Sequence, residues 1–214
     1  MTGGHSADDL TLFQVPGASI HPPLVEVRGT IFRCADYDTP LWIRPNSQSG
    51  RWHVADGKTS VQYWAFSAAG AWAERLRAEG ITDPEDLQLM RSRIWVGAVV
   101  CSEVADLTDD TWLAWLGVGR DDLIADDWSK CQAAVAEIRQ RGARGAITHS
   151  AALPDHLNLV LYGRRVRGDW HEHPENNPLP LRFSDTLPVQ LAATGYPEPD
   201  LLHRVRYRSV APIT

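Results

Sequence analysis

A short stretch of this chain carries three side chains whose chemistries complement one another. Arg51 lies in a turn next to a glycine, Tyr63 in a strand-like run, and Glu74 in the helical pattern that follows. A guanidinium binds phosphate through two parallel hydrogen bonds, an aromatic ring stacks on a flat ring, and a carboxylate stabilises a developing positive charge. Together these groups suit the cleavage of a bond between a sugar and a cationic ring in a phosphate-bearing substrate.

Four further residues extend this set. Arg33 ends a predicted strand and is a second candidate for binding the pyrophosphate of a dinucleotide such as NAD. Trp52 adjoins Arg51 and either shapes the turn or contacts the ligand. Ser150 follows a predicted strand and can bind phosphate or ribose hydroxyls. Asn158 either supports the same site or simply begins a strand.

The position of Glu74 within its helix is compatible with a ligand site. Trp72 and Leu76 belong to the face predicted to be buried, whereas Glu74 lies roughly opposite Trp72, beside Ala71 and Ala78. Small neighbours leave space for a ligand, although an ordinary exposed glutamate is the alternative interpretation. When nicotinamide leaves ribose, C1 of the sugar gains oxocarbenium character, which a carboxylate stabilises as it does in glycoside cleavage.

The overall composition excludes several classes of protein. The chain has 214 residues, 43% of them hydrophobic and 22% charged, which suits one domain or one domain with an appendage. A net charge of −6 argues against nucleic-acid binding. Because no signal peptide or apolar run of membrane-spanning length is present, we predict a cytoplasmic protein. The three cysteines, at positions 34, 101 and 131, are predicted to be reduced thiols.

Alternation, apolar runs and capping patterns predict an α/β chain. Strands are predicted at 24–33, 61–66, 94–101, 145–149 and 157–162, with helices at 68–78, 108–115 and 127–141. A last edge strand is predicted at 201–210, because Val205 and Tyr207 alternate there with arginines. Those arginines are interpreted as a solvated strand face, with contact to an acidic partner as the alternative.

Three histidines invite a metal interpretation. His171 and His173 form a His-x-His pair, and His203 follows later in the chain. No further ligand cluster follows at the spacing that metal sites require. We therefore predict no metal site.

The short motifs, taken in order, resemble the RES domain family, which is named for an arginine, a glutamate and a serine. The matching motifs are Ile31-Phe32-Arg33, Gly50-Arg51-Trp52, Val61-Gln62-Tyr63, Ala71-Trp72-Ala73-Glu74, Val104 to Thr108, Gly145-Ala146-Ile147, His149-Ser150-Ala151 and Asn158 to Leu161. No single motif is specific, so the order and spacing carry the resemblance. It implies a RES-like catalytic domain at 24–165. Because of Gly3-Gly4 and Pro22-Pro23, residues 1–23 are predicted to form a flexible or loosely packed lead, and residues 166–214 an extension packed on the same domain.

The resemblance implies an α/β (α+β) fold like that of ADP-ribosyltransferase toxins, with a mixed sheet and flanking helices. It implies a toxin that degrades NAD by phosphorolysis or hydrolysis. In that scheme Arg33 and Arg51 bind the pyrophosphate, Tyr63 flanks the nicotinamide and Glu74 acts on the ribose. NAD is then a substrate, inorganic phosphate is a possible co-substrate, and no cofactor is expected. The usual partner is an Xre-type helix-turn-helix antitoxin that blocks the active site.

Two positions depart from the family pattern. His53 stands where asparagine is common, and Ala152 stands where an arginine often follows the Ser-Ala pair. Either change can alter how the substrate is held or which acceptor is used. Two alternatives therefore stay open: an ADP-ribosyltransferase that modifies a protein, and an inactive RES-like module that binds a nucleotide or a partner.

Overall fold

The protein has a mixed α+β fold, which confirms the fold class predicted from the sequence. A computed structural model describes residues 11–14, 21–35, 45–90, 92–163, 190–195, 197 and 199–208. The strands are β1 (Thr11–Gln14), β2 (Val25–Cys34), β3 (Val61–Ala65), β4 (Ser92–Asp106), β5 (Gly145–His149), β6 (Leu157–Tyr162) and β7 (Gln190–Gly195). The helices are α1 (Ala68–Glu79), α2 (Pro84–Leu89), α3 (Asp110–Leu116), α4 (Arg120–Ile124) and α5 (Ser129–Gln140), followed by a 3-10 helix, Pro199–His203.

Two long antiparallel strands, β2 and β4, organise the sheet. Strand β4 pairs with β2 along one edge. Along the other edge of β2, strand β1 pairs with the first half and β3 with the end. The second edge of β4 is shared in the same way between β7, antiparallel, and β5, parallel. Antiparallel pairing of β3 with β6 and of β6 with β5 joins the two sides. Strands β2, β3, β6, β5 and β4 therefore form a closed, barrel-like ring.

Helix α1, which carries Glu74, is fixed at both ends by the caps that its sequence predicts. The Ser67 hydroxyl accepts a hydrogen bond from the Gly70 N–H at 3.0 Å, and Gly80 ends the helix with a φ of 69°. The buried face includes Trp72 and Leu76, and it packs against β2 and β3. A helix capped at both ends and packed on two strands holds its remaining side chains in fixed positions.

Two sequence predictions about the chain ends are wrong. Residues 11–14 were expected to belong to a loose lead, yet they form β1 and pair with β2. The predicted strand at 201–210 is instead the end of the 3-10 helix and an irregular segment, as far as it is described. Its apolar residues Leu201, Leu202 and Val205 are all buried against α1. Buried residues at these positions do not follow the every-second-residue pattern of a strand. The short helices α2 and α4 and the edge strand β7 were not predicted.

The described residues also show the state of the cysteines and the absence of a membrane-spanning helix among them. Cys34, Cys101 and Cys131 are free thiols, as predicted, and the latter two are buried. Burial raises the pKa of the Cys131 thiol. In the described part of the chain, no helix combines the length and apolar character needed to cross a membrane.

Candidate active site

The predicted site residues come together around one cavity of about 400 Å³. It lies between α1, the turn at Gly50–His53 and the linker that joins α4 to α5. The predicted residues that line it are Arg33, Arg51, Trp52, Tyr63, Glu74 and Asn158. Residues from five separate parts of the chain thus face one space of the size that small-molecule sites occupy.

Glu74 is held through one of its two carboxylate oxygens. Its Oε1 accepts a hydrogen bond from the Ser150 hydroxyl at 2.6 Å and another from Asn158 Nδ2 at 2.7 Å. Both donors come from the sheet side of the cavity, at the end of β5 and the start of β6. The carboxylate is therefore pinned in place while it faces the cavity, as a group that must act on a ligand requires.

Ser150 serves Glu74 rather than lining the cavity. Its side chain is fully buried, and its Oγ accepts hydrogen bonds from the N–H groups of Ala152 and Leu153 at 3.2 and 3.0 Å. With two N–H groups on the oxygen, the single hydroxyl hydrogen is directed to Glu74. The sequence suggested direct binding of phosphate or ribose. In the structure Ser150 instead lies behind Glu74 and holds its carboxylate in place.

The side-chain amide of Asn158 has one possible orientation, because it faces the Glu74 carboxylate. Turning its amide over would bring Oδ1 against the Glu74 carboxylate, so Nδ2 must be the atom that faces Glu74. Its Oδ1 is buried and has no hydrogen-bond partner among the described residues. Since Asn158 lines the cavity, this buried acceptor without a partner lies beside the space that a ligand would occupy.

Tyr63 is locked under the Gly50–His53 turn. Its hydroxyl accepts from the Trp52 N–H at 3.1 Å and lies 2.8 Å from His53 Nδ1, while His53 Nε2 lies 2.8 Å from the Gln48 carbonyl. A carbonyl only accepts, so Nε2 carries the hydrogen, and Nδ1 of the neutral ring accepts the Tyr63 O–H. Burial lowers the pKa of His53 and raises that of Tyr63, which keeps both groups neutral.

The turn needs a glycine at position 50 because it packs so closely. A Cβ at Gly50 would lie 2.8 Å from both His53 Cε1 and the Tyr63 hydroxyl. Two hydrogen bonds join the backbones of Gly50 and His53, at 3.0 and 3.3 Å. His53, one of the two departures from the family pattern, thus has a structural role in fixing Tyr63.

Arg51 and Arg33 both reach the cavity, in different settings. Arg51 Nη1 donates to the carbonyls of Leu123 and Ala125, with the first at 3.1 Å. A guanidinium has five N–H donors, so Arg51 retains others for a phosphate. The Arg33 guanidinium lies 6.0 Å from the centre of the Trp64 ring, at the limit of a cation–π contact.

A third arginine at the cavity was missed by the sequence reasoning. Arg77 is buried, donates to Asp126 Oδ1 at 2.5 Å, and also donates to the Arg206 carbonyl. Burial lowers its pKa, and the Asp126 carboxylate opposes that effect. The available signal was its spacing, because a residue three positions after Glu74 lies on the same helix face.

Three arginines hold the segment from Leu123 to Trp128, which we call the arginine-held linker. The carbonyls at the end of α4 lack partners within the helix. Arg51 donates to Leu123 and Ala125, Arg206 donates to Ile124, and Arg77 binds Asp126. The linker wall of the cavity is thus shaped by side chains from other parts of the chain.

The structure offers no support for a metal site in its described residues. Within them, no group of three or more histidine, cysteine, aspartate or glutamate side chains is arranged to hold an ion. His203 is exposed on the 3-10 helix, while His171 and His173 lie outside the described residues.

Comparison with known proteins identifies the family of this chain. The sequence model of the RES domain matches residues 27–184. A probable NAD(+) phosphorylase of Mycobacterium tuberculosis is 31% identical over 162 residues, which span 76% of this chain and 73% of that protein. A chain in the crystal structure of the MbcT–MbcA toxin–antitoxin complex of M. tuberculosis shares the fold, with a TM-score of 0.53 and 20% identity over 86% of this chain and 91% of that one. The predicted resemblance is thereby confirmed, and the chain belongs to the RES domain family.

Proposed function

We propose that this protein cleaves the bond between nicotinamide and ribose in NAD. The observation that carries the proposal is the Glu74 carboxylate, pinned by Ser150 and Asn158 while it faces a cavity lined by arginines. The name of the M. tuberculosis relative, a probable NAD(+) phosphorylase, supports the same chemistry. Phosphorolysis is therefore the favoured reaction, with hydrolysis as its variant.

In the proposed reaction the C1–N bond breaks and its electron pair passes to the pyridine nitrogen, so nicotinamide leaves neutral. The ribose C1 becomes an oxocarbenium centre, and the fixed negative charge of Glu74 stabilises it. An oxygen of inorganic phosphate then bonds to C1 and gives ADP-ribose 1-phosphate. With water as the acceptor, the product is ADP-ribose and one proton is released to solvent.

Binding of the substrate is assigned to the other cavity residues. Arg33 and Arg51 bind the pyrophosphate, since a guanidinium matches phosphate geometry with paired N–H donors. Tyr63 and Trp52 contribute aromatic surface beside the nicotinamide. The buried Oδ1 of Asn158 accepts a hydrogen bond from a ribose hydroxyl or from the nicotinamide amide.

The proposal includes a biological role as a cytoplasmic toxin that a cognate antitoxin neutralises. It is supported by the likeness to a chain from a toxin–antitoxin complex and by the resemblance to a family that usually has an Xre-type antitoxin. Growth arrest on induced expression, relieved by the antitoxin, is the expected result. Normal growth of a cell whose NAD is consumed would overturn the toxin role, but it would still support the enzymatic activity.

The test of the activity is nicotinamide release from NAD by the purified protein, with and without inorganic phosphate, followed by phosphorus NMR. A phosphate-dependent release with a new sugar-phosphate signal would establish phosphorolysis, and a phosphate-independent release would establish hydrolysis. No release, combined with transfer of labelled ADP-ribose to a protein in a lysate, would replace the proposal with protein ADP-ribosylation. Binding of NAD without either reaction would indicate an inactive module.

A matched pair of variants tests the role of Glu74. Glu74→Gln keeps the shape of the side chain but removes the charge, so we expect turnover to fall about 100- to 1,000-fold. Glu79→Gln changes a half-exposed glutamate of the same helix, which pairs with Arg75 at 2.6 Å, and should leave turnover near that of the wild type. Equal turnover in the two variants would rule out the mechanism.

A further inference from the structure

Arg208 stands apart from the other arginines around the cavity. Arg51 donates to linker carbonyls, Arg75 pairs with Glu79, and Arg77 pairs with Asp126. Arg208 also lines the cavity, yet it makes no hydrogen bond or ion pair with any described residue. It lies beyond residues 27–184, the region that the RES domain matches.

The Arg208 guanidinium is nevertheless held in one place. It stacks over the Trp128 ring, with its central carbon 5.1 Å from the ring centre. The backbone before it is anchored too, because the Arg206 N–H donates to the Ala152 carbonyl at 2.7 Å. A guanidinium that lies over an aromatic face keeps N–H donors that can bind an anion.

Trp128 supplies a second unpaired donor at the same place. Its indole ring lines the cavity, and its buried Nε1–H has no acceptor among the described residues. Buried N–H groups are nearly always hydrogen-bonded in native proteins, so an exception in a ligand cavity indicates a missing partner. Arg208 and Trp128 together form a pair of donors without an acceptor, which we call the rim pair.

The rim pair lies toward the outer end of the cavity. Along α1, exposure rises from the buried Ala71, through the half-buried Glu74, to the exposed Ala78. This stretch of helix spans about 10 Å. Arg208 is exposed like Ala78, and both residues line the cavity. With the nicotinamide ribose at Glu74, the exposed end of the cavity is left for the adenosine half of a dinucleotide.

We propose that the rim pair binds a phosphate on the adenosine ribose, and that NADP is a substrate of this site at least as good as NAD. A 2′-phosphate is the group that distinguishes the two dinucleotides, and an arginine commonly receives it in NADP-binding proteins. Near neutral pH a phosphate monoester carries a charge between about −1.5 and −2, which complements the guanidinium. The bond cleaved is the same nicotinamide–ribose bond, so this inference rests on the proposed function both for its chemistry and for the placement of the nicotinamide ribose at Glu74.

Binding is tested without catalysis, by calorimetry with ADP-ribose and 2′-phospho-ADP-ribose, which both lack nicotinamide. The wild-type protein should bind the 2′-phosphorylated compound about 10- to 100-fold more tightly, as expected for charge-assisted hydrogen bonds. Arg208→Ala should remove that preference. Equal affinities in the wild-type protein, or a preference that survives Arg208→Ala, would overturn the proposal whether or not the protein is an enzyme.

Turnover provides the second test. The ratio of kcat/KM for NADP to that for NAD should be one or more in the wild-type protein and should fall about 10- to 100-fold in Arg208→Ala. Arg204→Ala is the matched control, because it removes one exposed positive charge from the same segment without touching the cavity. A wild-type protein that rejects NADP, or an Arg208→Ala variant that slows both substrates equally, would contradict the assignment.

Discussion

The two walls of the cavity are built in opposite ways. On one wall Glu74, Ser150 and Asn158 come from α1 and from the adjoining ends of β5 and β6, and both Ser150 and Asn158 donate hydrogen bonds to Glu74. On the other wall the arginine-held linker has little regular structure, and long side chains from distant segments fix its carbonyls. The first wall presents a carboxylate, and the second presents guanidinium groups.

This difference matches the tasks assigned to each wall. A group that stabilises a transition state must be placed within a fraction of an ångström, which helices and strands achieve better than loops. Groups that bind phosphates tolerate more movement, because several donors surround each anion. We therefore expect changes at the first wall to affect kcat and changes at the second wall to affect KM or stability.

After Glu74→Gln, the largest expected effect comes from the residue that supports Glu74. Ser150→Ala removes the hydroxyl that donates to Glu74 and leaves the N–H groups of Ala152 and Leu153 without their acceptor. We expect kcat to fall about 100-fold, with a loss of about 1–3 kcal/mol in the free energy of unfolding. Ser129→Ala, at an exposed serine, is the control, and an unchanged kcat in Ser150→Ala would show that the hydrogen bond to Glu74 is dispensable.

The linker wall should respond differently to the loss of its buried arginine. Arg77→Met removes the donors to Asp126 and to the Arg206 carbonyl, so the linker and the C-terminal segment lose a shared anchor. We expect the free energy of unfolding to fall by about 2 kcal/mol, as when a buried hydrogen-bonded charge is lost, and KM to rise more than kcat falls. Urea unfolding and steady-state kinetics measure the two quantities.

Arg28→Met is the control for that experiment. Arg28 pairs with Glu26 at the surface, away from the cavity, and such pairs contribute about 0–1 kcal/mol. If Arg77→Met lowers kcat and leaves KM unchanged, then the linker belongs to the catalytic wall and the contrast between the two walls fails.

A smaller effect is expected from the turn that covers Tyr63. In Gly50→Ala the new Cβ must displace His53 and the Tyr63 hydroxyl, from which it would lie only 2.8 Å away. We expect a loss of about 1 kcal/mol in the free energy of unfolding, as for other overpacked sites, and a rise in KM for NAD. Gly57→Ala provides the contrast, because nothing lies within 4 Å of its Cβ and its φ of 69° alone opposes the change. A Gly50→Ala protein with unchanged KM would separate the turn from substrate binding.

The smallest effect is a pH dependence of stability that comes from His53. In the unfolded chain the imidazole takes up a proton near pH 6.5, whereas burial lowers its pKa in the folded protein. The unfolded state therefore binds more protons below that pH, and stability falls as the pH drops from about 6.5 toward the folded pKa. The contribution of the buried, neutral His53 to the free energy of unfolding is therefore fully present above pH 6.5.

His53→Asn should reduce this pH dependence, measured by urea unfolding at pH 7, 6 and 5. Some dependence should remain, because burial and the nearby Arg204 also lower the pKa of His156. His203→Asn, at an exposed histidine, is the matched control variant. Identical pH curves for His53→Asn and the wild-type protein would show that His53 does not control the turn.

Sequence reasoning was most successful where local patterns decide the structure. The caps at Ser67 and Gly80 predicted both ends of α1, and the runs at 145–149 and 157–162 predicted β5 and β6 to the residue. It failed at 201–210, where alternation of Val205 and Tyr207 suggested a strand. The actual segment is shaped by the burial of Leu201 and Leu202, which depends on a surface formed elsewhere in the chain.

The sequence by itself determined which chemical groups are present, the helix that carries Glu74, and the family, because these depend on residue types and local spacing. Only the tertiary structure decided how those groups are used. It turned Ser150 toward Glu74, tied Arg51 to the end of α4, and brought Arg208 to the cavity from beyond the matched region. These are contacts between residues far apart in the chain, and a hydrogen bond or a stacked ring depends on distances in space that local sequence does not encode.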